Sequence, residues 1–502
     1  MYYSSSTDKY FVKSGDVYYT MGTELDSRGQ YVLTTATDVP SDVTAVDFRT
    51  AENYSTYLNA GLNVLLLQAN ESYNGTNYDS TLGKYATEAV KAGITKIIVF
   101  DSRIQKLSAS KTAIVGTGAQ FATVDELNTY VANCLNDYKS KSWFYGVMLV
   151  DEPNWQTLPN LGLVYKAIKK ACPSAYVQTN LLPLSAGQNT NYVPTEDNDT
   201  YQTYKTYVQT YFGYTASLYA DSDMYEAYKQ YLTAFATFAS PDRICFDSYP
   251  IRADQPNYLL STHFAGLQIA ANVAKQFNIE IAGVIGAAGT VDSTGTAKHK
   301  APTEEELLWQ FNAYMMFGCK SFAYFTYQTK QNVTDGSLYY VDGTSAVNRL
   351  GQTTETYDAI TKINTNMQAF APTMLDYDYV GMQTIVKKGL TATAPTVFNG
   401  TSNDTFSCVS SLEITDTTTL KEVRTAAVTE LYNEQTKTYM YAVLNANEPS
   451  ANDLDETVKL TLNGSFTYAE VWTNGTKQVV EITNGTVSVT VSAGTASYII
   501  LH

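Results

Sequence analysis

Histidine is nearly missing from this chain: there are three in 502 residues, and one of them is the terminal His502. A hydrolytic metal centre built on imidazole therefore lacks ligands, although an all-carboxylate site stays open. No metal and no cofactor are expected. Cations are also short, 33 Lys and Arg against 49 Asp and Glu, for a net charge of −16 and an isoelectric point near 4.7. Such a chain repels nucleic acid and anionic membrane surfaces, so neither is expected as a partner. The five cysteines, Cys134, Cys172, Cys245, Cys319 and Cys408, are odd in number and widely spaced. No CxxC pair or disulfide framework is visible, and they read as free thiols, mostly buried. No apolar run reaches membrane-spanning length, so insertion is not expected. The opening MYYSSSTDKY has no signal-peptide core; an extracellular or cell-surface location is expected with a leader removed, a cytoplasmic one otherwise. No GxGxxG follows a strand-like run, which removes the main signal of a dinucleotide site.

What is present is neutral and polar. Only 16% of residues are charged, while tyrosine occurs 41 times beside abundant Thr, Ser and Asn. A surface solubilised by hydroxyls and amides suits sugars better than charged ligands. The length exceeds one small core, and a large domain followed by a smaller one is expected.

Eight strand-like runs, most followed by a helical pattern, fill the first part: 17–24, 63–70, 96–103, 144–153, 175–183, 243–250, 280–289 and 321–328. Eight β–α alternations predict a TIM (β/α)8 barrel over 1–373, with a doubly wound open sheet as the alternative. Gly61, Gly93 and Gly318 stand where helices should end in the left-handed conformation. Thr303 to Glu306 reads as a capping box. The first strand is the weakest, because residues 25–49 separate it from the next helix, and AVDF (45–48) is its alternative. After Thr373 the runs shorten and alternate, and Asn463-Gly464, Asn474-Gly475 and Asn484-Gly485 are hairpin signals. Residues 374–502 are therefore expected to form an all-β sandwich, with 374–426 as its less regular leading part. A tyrosine-rich insertion, about 184–223, should overhang the barrel mouth. Tyr204, Tyr207, Tyr211 and Tyr214 share one helical face, which either packs on the barrel or offers rings to a sugar.

The stretch GVMLVDEPNW runs a buried strand straight into Asp151 and Glu152. Acids at the carboxyl end of such a strand sit where α/β barrels place their sites, although a helix N-cap would use the same residues. Around the same rim fall Gln68, Asn70, Asp101, Asn180, Asp247, Tyr249, Tyr324, Thr326 and Gln328, with Glu24 at the end of the uncertain first strand. Carboxylates, amides and phenols make a neutral-to-acidic lining that suits polyols. Glycoside hydrolysis needs a proton donor and a second carboxylate. Glu152 is the expected donor, with Asp151 beside it and Asp247 as the facing base. Asp247 reads equally as a cap or as a partner of Arg243 or Arg252, and Asp101 as an ion pair with Arg103. Trp155, Tyr249 and Tyr324 are expected to stack on the sugar ring, and Asp101, Asn180, Gln68, Thr326 and Gln328 to bind its hydroxyls. Lys298, His299 and Lys300 near the glycine-rich 286–289 loop suggest a phosphate cradle as a remoter alternative.

GVMLVDEPN, RICFDSYPI and PTEEELLWQFNAYMMFGCKSFAYFTYQT together resemble clan A glycoside hydrolase barrels, nearest to bacterial beta-galactosidase-like (family 42-like) proteins. The resemblance covers roughly residues 50–370 and, more loosely, the sandwich. It implies a glycosidase acting on carbohydrate, secreted or on the cell surface, with the acid/base Glu ending the fourth strand at Glu152. The clan's nucleophile, a Glu ending the seventh strand, has no counterpart here: Gly283 to Gly289 contains no acid. A second carboxylate relocated to Asp247, Asp101 or Glu24, a mechanism assisted by the substrate itself, and a noncatalytic glycan-binding barrel all stay open. The oligomeric state, the sugar and its anomer are left unspecified.

Overall fold

A computed structural model describes the chain except residues 70–81, 187–188, 195–197, 216–222, 254–259, 330–333, 336–337, 389–393, 399, 416–422 and 451–453. Its centre is a seven-stranded parallel sheet. In chain order the strands are Leu65–Ala69, Ile97–Asp101, Phe144–Asp151, Tyr176–Leu181, Arg243–Asp247, Glu280–Gly286 and Cys319–Phe325, each paired with the next. Seven of the eight expected strands are thus present, and helices on their outer side bury them against a continuous apolar core. Gly61, Gly93 and Gly318 all have positive φ, as the helix stops require. The capping box is complete: Thr303 accepts from the Glu306 amide at 3.3 Å, and Glu306 accepts from the Thr303 amide at 2.8 Å.

The eighth expected strand is elsewhere, and the barrel does not close. Val17–Leu25 is half-buried or exposed along its whole length and nowhere buried on both faces, which does not suit a strand of a parallel sheet covered by helices. It pairs antiparallel with Lys9–Ser14 and Tyr31–Thr35, matching Phe11 to Thr20 and Met21 to Leu33. Tyr2–Ser4 and Thr44–Ala45 complete that five-stranded sheet, so AVDF does not replace the strand either. Among the described residues, the outer edges of Leu65–Ala69 and Cys319–Phe325 therefore have no strand between them. Helices Ala51–Asn59 and Glu355–Met374 span this seam from outside: Asn364 Nδ2 donates to the Ala60 carbonyl at 2.7 Å and the Tyr357 hydroxyl to the Thr56 carbonyl at 2.9 Å.

The C-terminal strands form two antiparallel sheets. One has seven strands, from Ala394–Thr396 and Asp378–Lys388 at one edge to Tyr468–Thr473 and Thr476–Glu481 at the other. The other holds Val409–Ile414, Glu456–Leu462 and Thr486–Val491. Alternating Val, Leu and Ile of both face one apolar layer, the arrangement of a sandwich. Asn474-Gly475, with φ of 49° and 74°, joins two paired strands as expected. The turns at Asn463-Gly464 and Asn484-Gly485 instead connect strands of different sheets, so they are crossovers rather than hairpins. This layer is fastened to the parallel sheet's helices by the Tyr498 hydroxyl on Asn312 Oδ1, 3.1 Å, and Thr429 on the Met316 carbonyl, 2.6 Å. Among the described residues no helix is long and apolar enough to cross a membrane.

Candidate active site

Strand phase decides what enters the barrel. Along Arg243–Asp247, residues 243, 245 and 247 face inward and line one cavity. On Phe144–Asp151 the inward residues are Tyr145 and Met148, and a bulge between Met148 and Asp151 resets the phase so that Asp151 also faces in. Gly146 permits the tight pairing here, since a Cβ on it would lie 1.9 Å from the Tyr176 carbonyl oxygen. The cavity holds about 1010 Å³, within the size range of small-ligand sites, and Asp151, Glu152, Asn180, Asp247 and Tyr249 gather at its upper end.

Asp247 is 6% exposed. Burial, then the neighbouring Asp151 carboxylate, push its carboxyl up to about 6, against hydrogen bonding from Tyr249 and Asn180 that acts the other way. Asn180 Nδ2 donates to Asp151 Oδ1 at 2.9 Å and so ties the two acid-bearing strands through the one between them. Asp247 has no ion pair among the described residues: Arg243 is engaged with Glu280 at 3.4 Å and Arg252 with His299 at 3.5 Å. Asn180 Oδ1, Asp247 Oδ1 and Gln328 Nε2 are all buried without a hydrogen-bond partner. Glu152 lies exposed at the rim with φ of 48°, a left-handed conformation uncommon for Glu. Its amide donates to the Asn180 carbonyl at 2.8 Å, and the buried Tyr231 holds the next residue by donating to the Pro153 carbonyl at 2.5 Å.

Several expected binding residues lie elsewhere. Asp101 has the opposite strand phase and faces the helices; at 1% exposure it caps helix Ser102–Ser108 and takes Arg103 Nη2 at 2.6 Å and the Tyr138 hydroxyl at 3.1 Å. Trp155 is 7% exposed in the core, its ring edge-on to Tyr204 at 4.9 Å. The tyrosine stripe accordingly packs down: Tyr207 donates to Asn160 Oδ1 at 2.9 Å and Tyr214 meets Phe238 at 5.3 Å. Tyr324, though at the cavity's seam edge, bonds Asn364 Oδ1 at 2.9 Å, and the ring that faces inward is the next one, Phe325, stacked on Tyr249 at 5.9 Å. Thr326 is buried in the following loop, donating to the Gln328 carbonyl at 2.7 Å. Gln328 lines the cavity. Gln68 is exposed on the edge strand and does not line it, Glu24 is exposed on the antiparallel sheet, and Asn70 lies outside the described residues. Lys300 pairs with Glu306 at 2.7 Å and His299 with Thr290 at 2.8 Å, so the proposed phosphate cradle is otherwise occupied.

Tyr249 and one residue not anticipated, Gln310, occupy the end of the Glu280–Gly286 strand, which carries no acid. Gln310 binds both backbone groups of Gly286, accepting from its amide and donating to its carbonyl, each at 3.1 Å. A Cβ on Gly286 would stand 2.8 Å from the Tyr249 ring, so that ring takes the space a side chain there would need. Alternation along Cys319–Phe325 puts Phe325 on the same face as Ala323 and would have found it; nothing local marks Gln310.

No family model matches the chain, and no curated protein matches it. Among solved structures it is similar to one titled only "Glycoside hydrolase", at 10% identity, 90% of this chain, 89% of that one and a TM-score of 0.44. It is also similar to a GH30 endoxylanase from Clostridium papyrosolvens C71, at 10% identity, 91% of this chain, 93% of that one and a TM-score of 0.38. A third is an alpha-amylase from Geobacillus thermoleovorans, at 11% identity, 91% of this chain, 92% of that one and a TM-score of 0.40. Likenesses this remote leave function to be read from the site's own residues.

Proposed function

We propose that the protein is a glycoside hydrolase acting on a neutral saccharide, with Asp247 as its proton donor and Asp151 as the second carboxylate. The observation that carries this reading is the Asp247 carboxyl itself, buried at the head of a cavity and raised to about 6 by burial and by Asp151. A carboxyl so perturbed keeps its proton close to neutral pH and can pass it to a glycosidic oxygen, as general acid catalysis requires. The unpartnered atoms on Asn180, Asp247 and Gln328 supply both acceptors and a donor for hydroxyl groups. Glu152, the donor expected from the resemblance, takes a rim position in this reading and orients substrate. The two acid-bearing strands flank the one that carries Asn180, whose side chain hydrogen-bonds both carboxyls.

The test is turnover of an aryl and oligosaccharide glycoside panel by the wild type, Asp247→Asn, Asp151→Asn and Glu152→Gln. Asp247→Asn should lose about 10²- to 10⁴-fold, the usual worth of a general acid. Wild-type turnover should fall as pH rises through about 6, where Asp247 gives up its proton. NMR of the first product reads whether the anomeric configuration is retained or inverted. A loss confined to Glu152→Gln would move the donor role there. Glycans that bind at the mouth with none cleaved would make this a binding protein instead.

A further inference from the structure

Below the acids the barrel is hollow, which is unusual, because the interior of an eight-stranded α/β barrel is normally filled by layers of bulky branched side chains. Here Cys245, Ala282 and Ala323 put small side chains at inward positions of the last three strands. Cys245, Ala282, Val284 and Ala323 form a minor apolar cluster with Tyr249 and Phe325, separate from the main core outside the sheet. Opposite them, Leu66 on the edge strand is left 49% exposed, and Met148 completes the apolar wall. Among the described residues no eighth strand stands between Leu65–Ala69 and Cys319–Phe325, and the seam between them adds to the hollow. The floor is a row in which two stacked rings lie between two cations, drawn from three successive strands and the residue that precedes a fourth. Lys96 Nζ is 5.2 Å from the Tyr145 ring centre, Tyr145 stacks on Tyr176 at 5.1 Å, and the Arg243 guanidinium carbon is 4.2 Å from the Tyr176 ring. Mouth, lumen and floor belong to one cavity of about 1010 Å³. Arg243 and Asp247 are four residues apart on one strand, so the lumen runs about 13 Å below the acids.

We propose that this lumen takes the apolar aglycone of a glycoside, an alkyl or aryl group that reaches down from a sugar held at the acids. The substrate class is then an amphiphilic glycoside rather than a wholly hydrophilic oligosaccharide. The placement at the mouth rests on the glycosidase reading above; the lumen's affinity for an apolar chain does not. The physical ground is the division of the cavity: the carboxylates stand only at the top, while beneath them Cys245, Ala282, Val284, Ala323 and Met148 make an apolar wall, in which the Gln178 amide is turned onto Cys245 Sγ at 3.6 Å. A saccharide unit in the lumen would find few hydrogen-bond partners, whereas an apolar chain exchanges water contact for contact with the wall.

Calorimetric titration with methyl, butyl and octyl glucosides and galactosides, the octyl members below micelle formation, tests this. Affinity should rise with chain length, by up to about 4-fold per methylene at full burial. Ala282→Leu, which fills the lumen from an inward position, should flatten that dependence while leaving methyl glycoside affinity unchanged. Should Ala282→Leu fail to fold, Ala323→Leu on the neighbouring strand gives the same reading. No chain-length dependence in the wild type overturns the proposal, as does full dependence retained in a folded lumen-filled variant. Chain-dependent binding without cleavage of any glycoside would leave the lumen site standing and defeat only the hydrolase assignment.

Discussion

Replacing Asp247 by Asn should stabilise the protein at neutral pH, and by an amount that depends on pH in a calculable way. The folded protein holds the Asp247 proton up to about pH 6, against 3.8 for an unperturbed group. Between those values the native state binds more protons than the unfolded chain, so stability falls as pH rises through the window and the loss is complete above 6. With a native value near 6, the cost is about 3 kcal/mol at pH 7.5 and about 1 kcal/mol at pH 4.5. Asparagine cannot ionise and removes this cost at both. Its amide also replaces a like charge beside Asp151 with a hydrogen-bond donor. The variant's advantage over the wild type should therefore be larger by roughly 2 kcal/mol at pH 7.5 than at pH 4.5. Paired thermal melts across pH 4.5–7.5 read this as a widening gap in Tm, opposite in sign to the activity change. A gap independent of pH would mean that Asp247 titrates as an ordinary exposed carboxyl, and the proton-donor argument would fall with it.

Trp155→Ala should cost about 3–5 kcal/mol, as for other buried aromatics, with the affinity of the surviving folded fraction for saccharide unchanged. Denaturant melts with parallel titration check this, and weakened binding at unchanged stability would return Trp155 to the ligand. Gly286→Ala should drive the Tyr249 ring from its place, lowering stability by about 1–3 kcal/mol and weakening ligand binding together. Gly286→Ala with wild-type melting and affinity would show that the ring yields freely.

The elements with strong local signals were legible without coordinates. Seven strand-like runs announced seven parallel strands, because a strand with helices on one face and an apolar lumen on the other need not alternate. Thr303 to Glu306 and the three helix-stopping glycines act within a turn of chain, so their partners are a few residues away and appear in sequence. Asp151 and Asp247 were found because each ends such a run. The failures concern which partner an element finds, near or far along the chain. Val17–Leu25 has strand propensity wherever it is placed, and only pairing with Lys9–Ser14 and Tyr31–Thr35 decided its sheet. Trp155 and the Tyr204 stripe carry the residue types of a sugar platform, yet became core because they found each other.

What the sequence by itself determined is therefore the α/β grammar, the all-β grammar after it, the acidic rim and the absence of an acid at 283–289. The tertiary structure alone decided that the barrel stays open at one seam, that its lumen is hollow, and that Asp151 and Asp247 share a field. Inward phase depends on a bulge between Met148 and Asp151 that no local pattern announces, and a carboxyl's proton affinity depends on burial and on charges brought near from other strands. Both are properties of distance in space, and the chain records only distance in sequence.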